Sequence, residues 1–340
     1  MPSITNRLSS QILKKIKKSQ NILLHCHPSP DGDSLGSVLA IAEYLKQINK
    51  EVTIIKGDSE LPSNFDHLPN FSTIENKSYF DIDPSAFDLF LILDTADKNQ
   101  ISKIGPVSFP PDLNTVVIDH HASNPGFADI YLIDDTSPST CQIVSQLLSD
   151  WKANITVSMA TNLIIGIYTD TGGFKYPKTT SRTFEIIAKL TSISPNYSEF
   201  IFQMENRNDP GQIRFRAVAL NNLKEFFSNH VVFSSVSRIQ MKKNNISRNH
   251  TEKSDIANLL KSVEGWDIAV SIVETDPGVS TISLRTRDPK KYDLSQIALA
   301  TGSGGGHPAA AGATLKKSIK GTQQKLIEII QKLHPELGKP

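Results

Sequence analysis

Acids and histidines fall at four places where a short apolar run stops. His27, Asp31 and Asp33 follow ILLHC in the loop HPSPDGDS; Asp94 ends DLFLILD; Asp119, His120 and His121 end TVVID; Asp170 closes NLIIGIYTD. Carboxylates gathered from separate segments repel one another, and burying them uncompensated is costly. Lysine and arginine are scarce in all four stretches, so the compensation these residues call for is divalent metal. His27, Asp31, Asp33, Asp94, His120 and Asp170 are too many ligands for one tetrahedral zinc. They suit two ions that share a carboxylate. Imidazole and carboxylate without thiolate favour manganese, with magnesium or iron as alternatives. Such a pair activates water and stabilises the leaving oxygen of an in-line displacement at phosphorus.

Each piece also has a plainer reading. PDGDS is good turn and helix-cap chemistry for Asp31 and Asp33, and Asp94 alone reads equally as a strand end. Asp119, His120 and His121 directly after a buried strand have no evident packing role, and the four segments together point to a shared site. Strand alternation sends His25 and His27 to one side and Cys26 to the other. His25 is read as a hydrogen-bonded packing residue rather than a ligand, and Cys26 as core.

The elements that must position these residues follow from the pattern. ILLHC (22–26), VTII (52–55), DLFLILD (88–94) and TVVID (115–119) are compact strand candidates. Residues 34–48, 137–151 and 156–170 have helical spacing. Alternation of this kind predicts a parallel sheet covered on both faces by helices. In open α/β sheets ligands bind beyond the carboxyl ends of the strands, which is where the acids lie. From about 191 the texture changes to a Pro-containing polar connector. A helix is expected over 214–227, strands over 231–237, 267–274 and 280–286, and a terminal helix over 322–334. Residues 1–190 are expected to form a metal-binding domain, 191–228 a connector, and 229–336 a smaller α/β domain, with the active-site cleft expected between the two domains.

Composition narrows the function classes. The chain has 340 residues with 36 Lys+Arg and 35 Asp+Glu, a net charge of +1. That balance argues against coating long nucleic acid by bulk electrostatics. It conceals an asymmetry: residues 1–190 hold 16 basic against 21 acidic residues, a net of −5, and residues 191–340 hold 20 against 14, a net of +6. Two cysteines cannot form a disulfide framework. No signal-peptide stretch is present, and no apolar run reaches the ~20 residues of a membrane span. A cytoplasmic protein without membrane association is expected.

At these residues the chain resembles the DHH phosphoesterase superfamily, named for the triplet that stands here as Asp119-His120-His121. HPSPDGDS, ILDTAD, IDHH and YTDTGGF match its four motifs in order, and SLRTR followed by GSGGGHPAAAGA resembles its DHH-associated C-terminal domain. The layout is most similar to the nanoRNase branch, oligoribonucleases that also dephosphorylate 3′-phosphoadenosine 5′-phosphate (pAp). The resemblance implies one ion held by His27, Asp31 and Asp94 and another by Asp33, Asp94, His120 and Asp170. It implies that Asp119 orients His120 and that His121 faces the scissile phosphate. Arg285, Gly304, Gly305, Gly306 and His307 would bind the nucleotide, since backbone without Cβ approaches an anion closely and a guanidinium fork suits phosphate. Arg287 reads equally as solvated. Phe174 and Tyr176 read as packing residues before base-stacking ones, and LKKIKK as a solvated helix face.

The implied activity is hydrolysis of short oligoribonucleotides to 5′-mononucleotides, and of pAp, with short RNA or nucleotide as partner. The resemblance also allows a homodimer. The alternatives are a phosphodiesterase acting on cyclic di-AMP or pApA, a non-catalytic nucleotide- or RNA-binding protein, and an inorganic pyrophosphatase, which the GGGHP tail disfavours.

Overall fold

Residues 4–207, 209–251 and 253–339 are described in a computed structural model. The chain divides into two compact units, Met1–Arg207 and Asn208–Pro340.

The first unit runs α1 (Ile4–Lys18), β1 (Asn21–His25), α2 (Gly32–Gln47), β2 (Glu51–Ile55), β3 (Ile74–Glu75), β4 (Leu89–Leu93), β5 (Asn114–Asp119), β6 (Ile130–Ile133), α3 (Thr140–Asp150), α4 (Val157–Asp170), α5 (Ser181–Ile193) and α6 (Tyr197–Glu205). The six strands form one parallel sheet in the order β3-β2-β1-β4-β5-β6. Strand order reverses between β1 and β4, which makes their carboxyl ends the topological switch point. Strands in such sheets are apolar on both sides: Ile22 and Leu24 face one core, Leu23 the other.

The core under Ile22 and Leu24 is built with the apolar faces of α1 to α5. The opposite face carries no such helix layer among the described residues. Tyr79, Ile101, Val107 and Leu113 cover it from turns and short 3₁₀ segments. The expectation of helices on both faces is corrected here. Residues 95–113 contain Gly105, Pro106, Pro110 and Pro111, and helix interiors do not tolerate proline. Two short edge strands, β3 and β6, are also additions to the sequence reading. Helix packing is close where side chains are absent: a Cβ on Gly36 of α2 would lie 2.4 Å from the Asn162 carbonyl of α4.

The second unit runs α7 (Pro210–Asn221), β7 (Lys224–Phe226), β8 (Val231–Val236), α8 (Arg238–Lys243), α9 (Lys253–Leu260), β9 (Ile268–Asp276), β10 (Val279–Thr286), α10 (Leu294–Ala300), β11 (Gly304–His307), β12 (Ala310–Leu315) and α11 (Ile319–Leu333). Its sheet has the order β11-β12-β10-β9-β8-β7, antiparallel except for the β8–β9 pair. Phe233, Ile272, Ile282 and Leu284 pack under α10 and α11, while Val232, Ala269 and Val273 pack under α7, α8 and α9.

Three expectations need correction. The helix over 214–227 stops at Asn221, because the Asn222 side chain donates to the Ser235 carbonyl and Phe226 pairs into the sheet opposite Val231. The 191–228 connector contains all of α6 and α7. The glycine cluster, for which no regular element was expected, is strand β11 at the sheet edge.

Candidate metal centre

The switch point gathers the strand-end residues. His27 and Asp31 follow β1, Asp94 follows β4, and Asp119, His120 and His121 end or follow β5. Asp33 comes from the first turn of α2 and Asp170 from the last turn of α4. Asp31 caps α2, its Oδ1 accepting from the Asp33 and Ser34 amides at 3.0 Å each. The same Oδ1 lies 3.9 Å from His27 Nε2, so the capping role and a place in the cluster coexist.

Asp94 stands at the centre. It is 3% exposed, and its backbone is left-handed with φ 52°. The two carboxylate oxygens face different neighbours. Oδ2 lies 3.5 Å from His27 Nε2; Oδ1 lies 3.6 Å from His120 Nε2 and 3.8 Å from His121 Nδ1. His120 Nε2 is also 3.2 Å from Asp170 Oδ2 and 3.9 Å from Asp33 Oδ2. Three donor groups have atoms within 4.8 Å of one another: His27–Asp31–Asp94, Asp33–His120–Asp170 and Asp94–His120–His121.

The donor chemistry fits divalent cations. Burial first, then the charges of Asp94, Asp170 and Asp31, hold the Asp33 carboxyl well above its ordinary value. Burial and the charge of Asp94 push Asp170 up to about 7. Burial would also raise Asp94, but the neighbouring His27, His120 and His121 outweigh it and hold Asp94 low. A set of carboxylates this strained by its own charge is relieved by a bound cation. The His27 Nδ1 lies 3.2 Å from the Pro28 carbonyl. Donation to that carbonyl leaves Nε2, the atom facing Asp31 and Asp94, with a lone pair for a ligand.

Asp119 departs from the role the resemblance implies. Its Oδ1 accepts from His121 Nδ1 at 2.7 Å and its Oδ2 accepts from Asn124 Nδ2 at 2.8 Å. Asp119 therefore orients His121 rather than His120, whose buried Nδ1 has no hydrogen-bond partner among the described residues. The contact with Asp119 raises His121 to about 9. Asn124, absent from the sequence reading, also donates to the Thr95 carbonyl at 3.0 Å and so ties the β5 triplet to the β4 end. Thr140 is another omission: its hydroxyl donates to Asp94 Oδ1 at 3.2 Å. Neither carried a motif signal, since single Asn and Thr residues are common in loops and caps.

His25 is buried, with Nε2 3.3 Å from Thr95 Oγ1 and its ring edge-on to Phe90. Cys26 and Cys141 are buried thiols. Phe174 packs against the Tyr168 and Phe184 rings, whereas Tyr176 is exposed and lies over Gly172.

In the second unit, Arg285 of β10 and His307 of β11 both pair with Ala310 of β12. Directly opposed residues share a sheet face, so Arg285 and His307 flank Ala310 on one surface. Gly305 and its partner Gly312 continue that surface without side chains, and Gly305 has open space at its Cβ position. Gly304 and Gly306 lie on the alternate pleat, where a Cβ would meet β12 at 2.6 Å. Arg285 Nε donates to Asn258 of α9 at 3.1 Å. Burial, then the charge of Arg285, lowers Lys261 on the following turn. Asn258 and Lys261 are absent from the sequence reading because residues 253–261 carry no motif. Arg287 lies past the end of β10 and donates to the Val263 carbonyl.

A parallel sheet with clustered carboxylates and imidazoles at its switch point defines an α/β protein with a metal-competent site. Residues 21–167 match the model of the DHH family, N-terminal domain, and residues 218–338 match that of the DHHA1 domain. The chain belongs to the DHH family. It is similar to the bifunctional oligoribonuclease and PAP phosphatase NrnA of Thermus thermophilus, 28% identical over 314 residues that cover 91% of this chain and 88% of that one. NrnA of Bacillus subtilis is 25% identical over 318 residues, covering 91% and 93%. Among solved structures, an exopolyphosphatase-related protein from Bacteroides fragilis matches 100% of both chains with a TM-score of 0.86 at 22% identity, a likeness of fold. No described helix is long and apolar enough to cross a membrane.

Proposed function

We propose that the chain is a divalent-metal phosphoesterase that hydrolyses short oligoribonucleotides to 5′-mononucleotides and removes phosphate from pAp. The observation that carries this reading is Asp94, whose two oxygens face separate donor groups. His27, Asp31 and Asp94 would hold one ion; Asp33, Asp94, His120 and Asp170 would hold the other. Manganese is preferred for this donor set. Ions bound there supply acidified water and offset charge on phosphoryl oxygens.

The chain's own residues do the rest. The Asp119 carboxylate raises His121 to about 9 in the metal-free protein, and with Nδ1 bound to Asp119 its Nε2–H is the donor that faces a phosphoryl oxygen. Asn124 holds the far oxygen of Asp119, so the imidazole cannot swing freely. Arg285, His307 and the backbone of Gly304, Gly305 and Gly306 grip the nucleotide, which selects short substrates. The names of the Thermus and Bacillus relatives support that substrate class.

A panel with Mn²⁺ tests this: pApA, longer RNA, pAp, cyclic di-AMP and pyrophosphate, followed by chromatography of products. Turnover of pApA and pAp to AMP supports the proposal. Pyrophosphate or cyclic di-AMP as the best substrate would replace it with one of the alternatives, and binding without turnover would mark a nucleotide-binding protein.

A further inference from the structure

Resting on the metal reading above, we propose that Thr140 is a positioning residue that locks the two deepest carboxylates, Asp33 and Asp94, into one arrangement. Thr140 is fully buried at the first position of α3. Its amide donates to Asp33 Oδ2 at 2.6 Å and its hydroxyl to Asp94 Oδ1 at 3.2 Å. The next amide, of Cys141, donates to the other Asp33 oxygen at 2.8 Å. Ser139, the helix cap, takes the Gln142 amide at 3.1 Å.

Every amide of this first turn therefore has an assigned acceptor, and two of them are spent on a carboxylate 107 and 108 residues away in sequence. Free helix amides stabilise an anion through their aligned dipoles. Here they fix both oxygens of Asp33 and hence the plane of its carboxylate. Among the described residues no backbone amide clamps the Asp94 carboxylate in this way. Asp94 sits just past β4 in a left-handed turn, so the strand does not dictate where its carboxylate points. The Thr140 hydroxyl supplies that constraint on Oδ1, the oxygen facing His120. One residue thus sets the angle between a ligand unique to one ion and the ligand shared by both.

Outer contacts of this kind change metal affinity by about 10–100-fold. Thr140→Val keeps the shape and the amide bond to Asp33 while removing the hydroxyl; Thr140→Ser keeps the hydroxyl and removes the methyl. Metal-free wild type and variants would be titrated with Mn²⁺ while the free-ion electron paramagnetic resonance signal is recorded. The expected result is two tight ions in wild type, at least tenfold weaker binding of one ion in Thr140→Val, and recovery to within about threefold in Thr140→Ser. Circular dichroism of the metal-free proteins checks folding, and Thr140→Ala replaces the valine variant if that one fails to fold. Wild-type affinity in both hydroxyl-free variants would overturn the role of Thr140 alone, as would an equal loss in Thr140→Ser. Absence of Mn²⁺ binding by wild type would instead overturn the metal reading beneath it.

Discussion

Replacing Asp94 by Asn removes one charge from the meeting point of the acids while keeping the shape. The left-handed backbone at Asp94 suits Asn, which enters that region more readily than most residues. The new amide oxygen still accepts from Thr140, and the amide nitrogen faces the His27 Nε2 lone pair. In the metal-free protein Asp170 is raised from an ordinary 3.8 to about 7, by burial first and Asp94 second. Three units correspond to about 4 kcal/mol at ~1.4 kcal/mol per unit, and the substitution relieves the part due to the Asp94 charge. Because the folded value is raised, the favourable term exists below pH 3.8 and is lost as pH rises through about 7. At pH 8 the metal-free wild type carries the whole penalty. The opposing loss is the attraction of Asp94 for His27 and for His121, which is raised to about 9 and charged at pH 8; solvent screens the 41%-exposed His121, and burial keeps His120 neutral. Asp94→Asn should then melt several degrees above metal-free wild type at pH 8, about 2–4 °C for each kcal/mol of the penalty relieved in a unit of this size. Added Mn²⁺ should raise the melting temperature of wild type strongly and of the variant little, and turnover should vanish. A variant that melts well below wild type without metal, or keeps the full Mn²⁺ stabilisation, refutes the reasoning.

Other predictions concern single contacts. Arg285→Ala should raise KM for nucleotide substrates about tenfold or more while kcat changes little; steady-state kinetics on pApA checks this, and an unchanged KM removes Arg285 from the site. His121, raised to about 9 by Asp119, contributes stability that is complete below about pH 6.5 and lost as pH rises through 9. With its side chain 41% exposed, the contribution is screened to about 1 kcal/mol. Melting curves from pH 8 to 10, above the Asp170 titration near 7, should show that loss in metal-free wild type and not in His121→Gln. Gly306→Ala should destabilise the second unit by about 1–3 kcal/mol, because φ there is +138° and the new Cβ would lie 2.6 Å from the Ala310 carbonyl oxygen; urea unfolding measures it.

The strand-end acids were legible because chemistry and fold use the same signal: an apolar run that stops at an Asp or His announces both a buried strand and its exposed carboxyl end. Asp94 and the β5 triplet are of this kind. The partner of Asp119 was not legible, since His120 and His121 are adjacent and only the backbone course after β5 decides which ring turns toward the carboxylate. Thr140 and Asn124 stayed hidden because their importance comes from long-range contacts, whereas cap-type residues look alike in sequence. The cover over Phe90 and Ile92 was misread for a different reason. The βαβ pattern implies helices on alternate faces, but Pro106, Pro110 and Pro111 replace the helix with turns that still bury the face. In the second unit, glycines that carry no strand signal form β11, because the register opposite Ala310–Ala313 lets backbone pair closely without side chains.

The most direct test of a bridged metal pair acting on phosphoesters is the turnover of pApA by metal-free protein given Mn²⁺ in known equivalents. A bridged pair requires AMP release that stays low below one equivalent, climbs between one and two, and levels off at two. Turnover in the presence of chelator, saturation at one equivalent, or no AMP at any ratio would contradict it.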